Sequence, residues 1–315
     1  MIDAFRRGAV LPVRQAQGPE PVEGLRPIPA SRDSCLPAFI QVGVELARSS
    51  RVKGPSKLGP YQALPLFFAF AFLVSFGSST LRAESVDVLL AAASDAELQP
   101  LISQLGTPHT ETRAAWQFWT GTIRGKKVVL TRTEGDPLNA VAATTLAIRH
   151  YAPKLVVTIG AARAHDPALK PGDVVVSNTF VAFDGLISQP HALGDGVHPL
   201  TWEQLPHAVM TPGEKEHYQT DFPADPAALA IAEKLTPARG RVVAGALGSA
   251  SQVNREVDRI AWIHKTWKTS CEDAESAHIA GCALLLGVPV IGLRIIDGTP
   301  AETPALALQF LEALK

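Results

Sequence analysis

The chain has 315 residues, of which 46% are hydrophobic and 19% are charged, a composition typical of a globular protein with ample apolar material for a core. Its formal net charge of -1 is unevenly distributed, because residues 1–83 hold ten of the 29 basic and five of the 30 acidic residues and leave the remainder with a balance of -6. An acidic body is a poor match for the phosphates of nucleic acid, so we expect no nucleic-acid partner.

The first 83 residues differ in character from the rest. Residues 1–60 are rich in Pro, Gly and charge without a helical or strand period, which predicts a disordered leader. Residues 61–83 contain the apolar run LPLFFAFAFLVSFG, which is shorter than the roughly 20 residues of a membrane span and is followed by small residues ending at Ala83. This pattern indicates a secretory signal peptide, with an uncleaved N-terminal anchor as the alternative. We therefore expect a periplasmic or secreted protein without a stable membrane anchor after cleavage, and a translation start nearer Val52 than Met1.

Residues 84–315 are predicted to form one domain in which buried strands alternate with helices. Strands are predicted over 86–93, 154–162, 172–185, 240–251 and 288–297, with one more ending near Cys271 and two around a turn at Arg124-Gly125. Helices are predicted over 94–106, 137–153, 225–235, 253–267, 276–287 and 303–315. The alternation indicates an α/β fold, a three-layer sandwich with a mixed, largely parallel central sheet.

Acidic side chains follow three of these strands. Glu97 follows the first strand, Glu275 follows the strand that ends near Cys271, and Asp297 ends the last strand. Ligands of such sheets bind at the carboxyl ends of the strands. We therefore expect the three carboxylates to lie near a common site.

The cysteines and histidines outside these positions point to structural roles. Cys35 lies in the leader, while Cys271 and Cys282 are predicted to be buried free thiols, although export would also allow them to pair. Four histidines lie in the Pro/Gly-rich segment 185–222, at spacings that fit no helical or strand metal site. We expect no metal or other cofactor, and interpret this segment as a solvated loop whose length suggests a lid or a dimer contact.

Four segments in order give the chain a likeness to a known family. They are LLAAASDAELQPL, RTEGDPLNAVAATT, IGAARAHDPALKPGDVVVS and EDAESAHIAGCALLLGVPVIGLRIIDG, which together span most of 86–300. Their order resembles the purine nucleoside phosphorylase and 5′-methylthioadenosine/S-adenosylhomocysteine nucleosidase superfamily, especially its nucleosidase branch. The resemblance implies a nucleoside phosphorylase-like fold, a homodimer and a small purine nucleoside as ligand.

The resemblance also implies roles for individual residues. Glu97 would activate water, Glu275 would hold the ribose hydroxyls, and Asp297 would protonate purine N7. Gln252 takes the place of the family's base-stacking aromatic residue, with Val253 beside it, and Ala274 takes the place of a Met next to the ribose-binding Glu.

Three further residues have supporting or open roles. Asp273 is expected to brace the turn. Arg294 on a buried strand needs a partner and is expected to be structural. Arg163 stands where the family has a small residue, and would either bind an anionic substituent or plug the pocket through a site acid.

The expected activity is therefore water-driven cleavage of the bond between a purine base and ribose by an exported enzyme. A strict alignment places Asp297 at a Ser position of the family's motif, and the stacking aromatic is absent. These departures favour the alternative of an inactive nucleoside-binding or storage protein on the same fold. Phosphorolysis is the less favoured third possibility, because Thr158 and Ala161 stand where phosphorylases of this fold carry Arg and Ser.

Overall fold

The fold is organised around a ten-stranded sheet with helices on both faces. The computed structural model describes residues 85–315, so the expectations for a leader and a signal peptide fall outside the described residues. The strands of the described chain are β1 (Val88–Ala92), β2 (Gly106–Arg113), β3 (Trp116–Ile123), β4 (Lys126–Arg132), β5 (Leu155–Ala164), β6 (Val174–Ala182), β7 (Leu186–Ile187), β8 (Glu203–Gln204), β9 (His207–Val209), β10 (His217–Gln219), β11 (Phe222–Pro223), β12 (Val242–Ser249), β13 (Thr269–Asp273) and β14 (Val290–Ile296).

The helices begin where the sequence places capping residues. Asp136 accepts hydrogen bonds from the N–H groups of Leu138 and Asn139, and Pro137 occupies the first helical position of α2. Asp225 caps α3 in the same way through the N–H of Ala228. The helices are α1 (Asp95–Ile102), α2 (Pro137–Tyr151), α3 (Pro226–Ala232), α4 (Val257–Trp267), α5 (Ser276–Leu285) and α6 (Thr303–Ala313).

The sheet closes on itself at one end. Its order is β11-β6-β12-β13-β5-β1-β4-β3-β2, and β14 pairs with both β5 and β6. These pairings link β5, β14, β6, β12 and β13 into a ring. The ring curls the sheet, and brings residues from the later halves of β5, β13 and β14 to one cavity.

The sheet is mixed, as expected, but its parallel and antiparallel pairings are equal in number. The parallel pairs lie in the centre, where β1 joins β4 and β5, β5 joins β14, and β12 joins β6 and β13. Of the antiparallel pairs, two belong to the meander β2–β3–β4 at one edge, and the others are β11–β6, β13–β5 and β14–β6. Neighbouring strands of the meander are joined directly. Such neighbours need only short turns, and therefore leave no helical pattern between them.

Two apolar clusters cover the two faces of the sheet and make the three layers. One cluster contains residues of α2 and α5, and the other contains residues of α1, α3 and α6. Four residues of the continuous run in β1, Val88 to Ala91, are at most 1% exposed. A strand covered on both faces has no polar side, which explains the unbroken apolar run in the sequence.

Two segments differ from the sequence expectation. The first helix ends at Ile102, and Gly106 begins β2 rather than ending the helix. β2 was missed because it is an exposed edge strand whose sequence, GTPHTETR, has no apolar face. Segment 185–222 is not a plain loop, since it holds two small hairpins, β7–β8 and β9–β10.

The two cysteines within the described chain are free and buried, as predicted. Cys271 lies on β13 and Cys282 on α5. Among residues 85–315, no helix has both the length and the apolar character that a bilayer crossing requires.

Candidate active site

A cavity of about 220 Å³ lies where the later parts of β5, β13 and β14 meet the residue after β1. Its lining combines small or apolar residues with three carboxylates and one guanidinium. The lining residues are Ala93, Glu97, Gly135, Ile159, Gly160, Ala161, Asp273, Ala274, Glu275 and Arg294. The cavity thus has the position that open α/β sheets use for ligands.

Glu97 is held in place by the start of α1. Its Oε2 accepts hydrogen bonds from the main-chain N–H of Ser94 at 3.1 Å and from the Ser94 hydroxyl at 3.0 Å, which completes a capping box. The side chain is buried, with 6% of its residue surface exposed. Its other oxygen, Oε1, faces Gly160, so one carboxylate both caps the helix and lines the cavity.

Gly160 leaves room for Glu97 and Arg294 to approach each other. A Cβ atom on Gly160 would lie 3.1 Å from Glu97 Oε1 and 3.6 Å from the Arg294 guanidinium. The first of these contacts is tight enough to displace the carboxylate. The sequence offered one signal for this role, a Gly inside a buried strand, where close approach of another group is a usual reason.

Arg294 and Asp273 form the charged floor of the cavity. Arg294 is 2% exposed, and its Nε donates to Asp273 Oδ2 at 2.6 Å while its Nη2 donates to the Thr158 hydroxyl at 2.8 Å. Asp273 also accepts a hydrogen bond from Ser249 at 2.6 Å. Burial alone would raise the pKa of Asp273, but the Arg294 guanidinium and these hydrogen bonds hold it below the usual value.

Glu275 is the group in this cavity that is left without a hydrogen-bond partner. It is 2% exposed, and neither carboxylate oxygen has a hydrogen-bond partner among the described residues; the Thr133 hydroxyl is close enough to oppose the raised pKa of Glu275, but it donates to the Ala92 oxygen at 3.0 Å. Its nearest cation is Arg294, whose Nη2 lies 3.9 Å from Oε1. Burial raises the pKa of Glu275 to about 7, against the opposing attraction of Arg294. A buried carboxyl group without partners is costly unless a ligand supplies donors.

The structure brings together five of the residues singled out from the sequence. Glu97, Asp273, Ala274, Glu275 and Arg294 all line the cavity. Asp273 braces the turn as expected, since it accepts hydrogen bonds from the N–H groups of Glu275 and Ser276. Arg294 is paired with the carboxylate of Asp273, as its position on a buried strand predicted.

Four other candidates lie outside this lining. Asp297 is exposed, has a positive φ of 45°, and donates its main-chain N–H to Ala162. Arg163 is exposed and donates to the main-chain oxygen of Asn254 at 3.2 Å, so it does not plug the cavity. Gln252 and Val253 lie on the loop between β12 and α4, away from the lining. The roles of these four residues stay predictions.

The histidines of segment 185–222 stand apart from the cavity. His191 and His198 are exposed neighbours with ring centroids 4.5 Å apart, while His207 packs on Phe222. Over residues 85–315, no group of three or more His, Cys, Asp or Glu side chains is arranged to hold a metal ion.

The fold and the cavity define an α/β protein with a charged cavity of small-molecule size at the carboxyl ends of its strands. Residues 87–314 match the family model of the phosphorylase superfamily. The chain belongs to this family.

Several proteins similar to this chain are nucleosidases. The chain is 25% identical to the 5′-methylthioadenosine/S-adenosylhomocysteine nucleosidase of Marinomonas sp. over 71% of this chain and 90% of that protein. It is 26% identical to the nucleosidase of Tolumonas auensis, over 70% and 90%. Among solved structures, the Colwellia psychrerythraea nucleosidase in complex with adenine superposes with a TM-score of 0.59 at 20% identity, covering 74% of this chain and 97% of that one. The Neisseria meningitidis nucleosidase with methylthio-immucillin-A gives a TM-score of 0.58 at 18% identity, covering 72% and 99%.

Proposed function

We propose that the protein is a purine-nucleoside N-glycosidase that uses water to cleave the bond between the base and the ribose. The observation that carries this proposal is Glu275, a buried carboxylate with both oxygens unpartnered in a cavity of small-molecule size. Adjacent sugar hydroxyls supply two donors to one carboxylate, and such charge-assisted bonds are each worth about 1.5–3 kcal/mol. The names of the similar proteins point to the same substrate class.

Glu97 is placed to act on water. Oε2 is fixed by the helix cap, so Oε1 faces the cavity in one orientation and can take a proton from a water molecule. Cleavage of a glycosidic bond builds positive charge on the sugar, and carboxylates around the sugar stabilise that charge. In this proposal Glu97 is the general base that activates water, and Glu275 binds the sugar.

The charge of the cavity favours water over phosphate as the nucleophile. Its lining holds three carboxylates and one guanidinium, and the guanidinium is already paired with Asp273. A phosphate dianion would enter a site of net negative charge and find no unpaired cation in the lining. Thr158 is the acceptor for Arg294 rather than a phosphate ligand.

The experiment is release of base by the purified protein, measured with and without phosphate, on 5′-methylthioadenosine, S-adenosylhomocysteine and inosine. We expect base release that does not depend on phosphate and that Glu97→Gln abolishes. Release that requires phosphate would establish a phosphorylase instead.

Binding without turnover is the second candidate, and the placement of Asp297 favours it. The predicted N7 acid is exposed and is not among the lining residues, so the acid that the resemblance implies for purine N7 is not in the cavity. A nucleoside that binds with measurable heat, together with no base release from any of the three substrates, would establish this candidate. Asp297→Asn tests the role directly, since an N7 acid is required for turnover but not for ribose binding.

We also propose that a second copy of the chain covers an apolar groove between α2 and α5. The groove encloses about 310 Å³ and is lined by Val141, Cys282 and Leu285 together with residues of β9 and β11. Val141 and Leu285 are 39% and 43% exposed. Sedimentation equilibrium should show a dimer that Leu285→Glu dissociates, whereas Leu193→Glu, on an exposed loop residue, should leave it intact.

Export is the remaining part of the proposal. The apolar run at 64–77, followed by SSTLRA, supports a mature chain that begins near Glu84 in the periplasm or outside the cell. N-terminal sequencing of the native protein tests this, and a mature form that retains residues 1–50 would contradict it.

A further inference from the structure

Arg294 reaches the cavity from β14 with its guanidinium fixed at three nitrogen atoms. Nε donates to Asp273 Oδ2 at 2.6 Å, Nη1 donates to the main-chain oxygen of Leu293 at 3.3 Å, and Nη2 donates to the Thr158 hydroxyl at 2.8 Å. Gly160, which faces Arg294 in the strand register, leaves the room that the guanidinium occupies, since a Cβ there would lie 3.6 Å from Cζ. The protein therefore sets the position of each guanidinium nitrogen.

Thr158 lies behind this guanidinium rather than in the cavity. It is 0% exposed on β5, two residues before Gly160 and therefore on the same face of the sheet. It is not among the residues that line the cavity. Any effect of its hydroxyl on a ligand must therefore pass through Arg294.

The direction of Nη2 decides whether Glu275 stays free. Nη2 lies 2.8 Å from the Thr158 oxygen and 3.9 Å from Glu275 Oε1, so it makes a hydrogen bond with the neutral hydroxyl and not with the carboxylate. A guanidinium binds a carboxylate more strongly than it binds a hydroxyl. An Arg294 released from Thr158 would therefore move Nη2 to the roughly 2.8 Å of a charge-assisted bond with Glu275.

We propose that Thr158 is a positioning residue that holds the Arg294 guanidinium away from Glu275 and so keeps this carboxylate free for the sugar hydroxyls. This inference rests on the proposed function, in which Glu275 binds the sugar. Without the Thr158 hydroxyl, the sugar would compete with Arg294 for the same carboxylate. Thr158 thereby raises the affinity for the sugar without touching it.

The test compares Thr158→Val with Thr158→Ser and Thr131→Val. Valine has nearly the shape of threonine but cannot accept a hydrogen bond, whereas serine keeps the hydroxyl. Thr131 is the matched control, because it is also 0% exposed on a strand of the sheet and its hydroxyl donates to the Gln117 oxygen at 3.2 Å. Thr158→Ala removes the same hydroxyl with less bulk, and should give the same result as Thr158→Val.

The first measurement needs no ligand. Burial raises the pKa of Glu275 to about 7. The groups that influence its protonation are Arg294, Asp273, Thr133 and Glu97. Contact with Arg294 would oppose the effect of burial, so in Thr158→Val we expect the pKa of Glu275 to fall below about 6. Carboxyl-carbon NMR of glutamate-labelled protein measures this pKa, with Glu275→Gln to assign the resonance, and Thr158→Ser and Thr131→Val should keep the wild-type value.

The second measurement is kinetic, with 5′-methylthioadenosine as substrate. We expect Thr158→Val to raise KM about tenfold, as loss of one well-placed hydrogen bond does. We expect kcat within twofold of wild type, because Glu275 keeps its charge and its bond to Arg294 must break before the sugar binds. Thr158→Ser should restore the wild-type KM, and Thr131→Val should not change it.

The outcomes separate this inference from the proposed function. If Thr158→Val lowers the melting temperature but leaves the pKa of Glu275 and KM unchanged, Thr158 has only a structural role and the inference is wrong. A lowered pKa with unchanged KM would overturn the effect on sugar binding. A wild-type protein that neither releases base nor binds nucleoside would refute the proposed function, and the pKa comparison would still decide whether Thr158 holds Arg294 away from Glu275.

Discussion

Arg294 makes a short ion pair with Asp273, at 2.6 Å from Nε to Oδ2, while Glu275 stands 3.9 Å from the same guanidinium without a hydrogen bond. The two carboxylates are two residues apart in the chain, yet Asp273 is ion-paired and Glu275 has no hydrogen-bond partner. Asp273 is thereby a structural anchor, and Glu275 is the carboxylate left for a ligand.

The first prediction concerns the charge of Glu275. Glu275→Gln keeps the shape and removes the charge, so it should lower kcat more than it weakens nucleoside binding, because the positive charge on the sugar is greatest in the transition state. Steady-state kinetics alongside calorimetry measure the two effects. If both affinity and kcat match the wild type, Glu275 lies outside the site.

The second prediction concerns stability and pH. Burial raises the pKa of Glu275 to about 7 from its ordinary 4.5, so the folded state holds a proton that the unfolded state releases between these two values. The wild type should therefore lose stability relative to Glu275→Gln as pH rises from 4.5 to about 7, by up to about 3 kcal/mol. Urea unfolding at pH 5 and pH 8 measures this difference. A constant difference between the two proteins would contradict the prediction.

The third prediction concerns the Arg294–Asp273 pair. Arg294→Met leaves a buried, unpaired carboxylate, which should cost about 3–5 kcal/mol of unfolding free energy. In the Arg294→Met background, Asp273→Asn should lower the free energy of unfolding by less than it does in the wild type. The carboxylate that this substitution removes has by then already lost its cationic partner. A double-mutant cycle by denaturant unfolding should give a coupling above about 1 kcal/mol, and additive losses would rule out the pair as an anchor.

The fourth prediction concerns the space above Gly160. Gly160→Ala places a methyl group 3.1 Å from Glu97 Oε1 and should displace that oxygen. We expect kcat to fall at least about tenfold, as misplacement of a catalytic group does. Gly125→Ala is the matched control, because Gly125 also has a positive φ, of 78°, so the backbone strain is shared, and its Cβ would meet nothing within 4 Å. Equal kcat in the two variants would show that Glu97 Oε1 is not used.

The fifth prediction separates the two tasks of Glu97. Glu97→Gln can still complete the capping box, so it should change unfolding free energy by less than about 1 kcal/mol while lowering kcat about 100-fold or more. Ser94→Ala removes the hydroxyl of the cap and should show the reverse pattern, with a loss of about 1 kcal/mol and most of kcat retained. If the two variants lose kcat and unfolding free energy in the same proportion, Glu97 acts only as a helix cap.

Elements whose patterns are local can be predicted from the amino-acid sequence. The continuous apolar run of β1, the Asp136 cap and Pro137 of α2, and the acids that follow β1 and β13 can all be read without knowing the fold. Burial on both faces of a strand and the satisfaction of helix ends are properties of neighbouring residues, so short windows carry them. The polar edge strand β2 could not be predicted from the sequence, because its pairing with β3, not its composition, makes it a strand.

Which acids share a cavity, and which of them lacks a hydrogen-bond partner, depends on contacts that form only in the folded chain. The resemblance to the family already separates the expected roles of Asp273 and Glu275, but the physical reason lies in the folded structure: Arg294, 21 residues beyond Asp273, pairs with Asp273 at 2.6 Å and stays 3.9 Å from Glu275. Asp297 follows the same strand as Arg294 but is exposed in a turn with a φ of 45°, and it is not among the residues that line the cavity. Charge pairing and desolvation depend on distances between residues far apart in the chain, and these distances exist only once the sheet has closed.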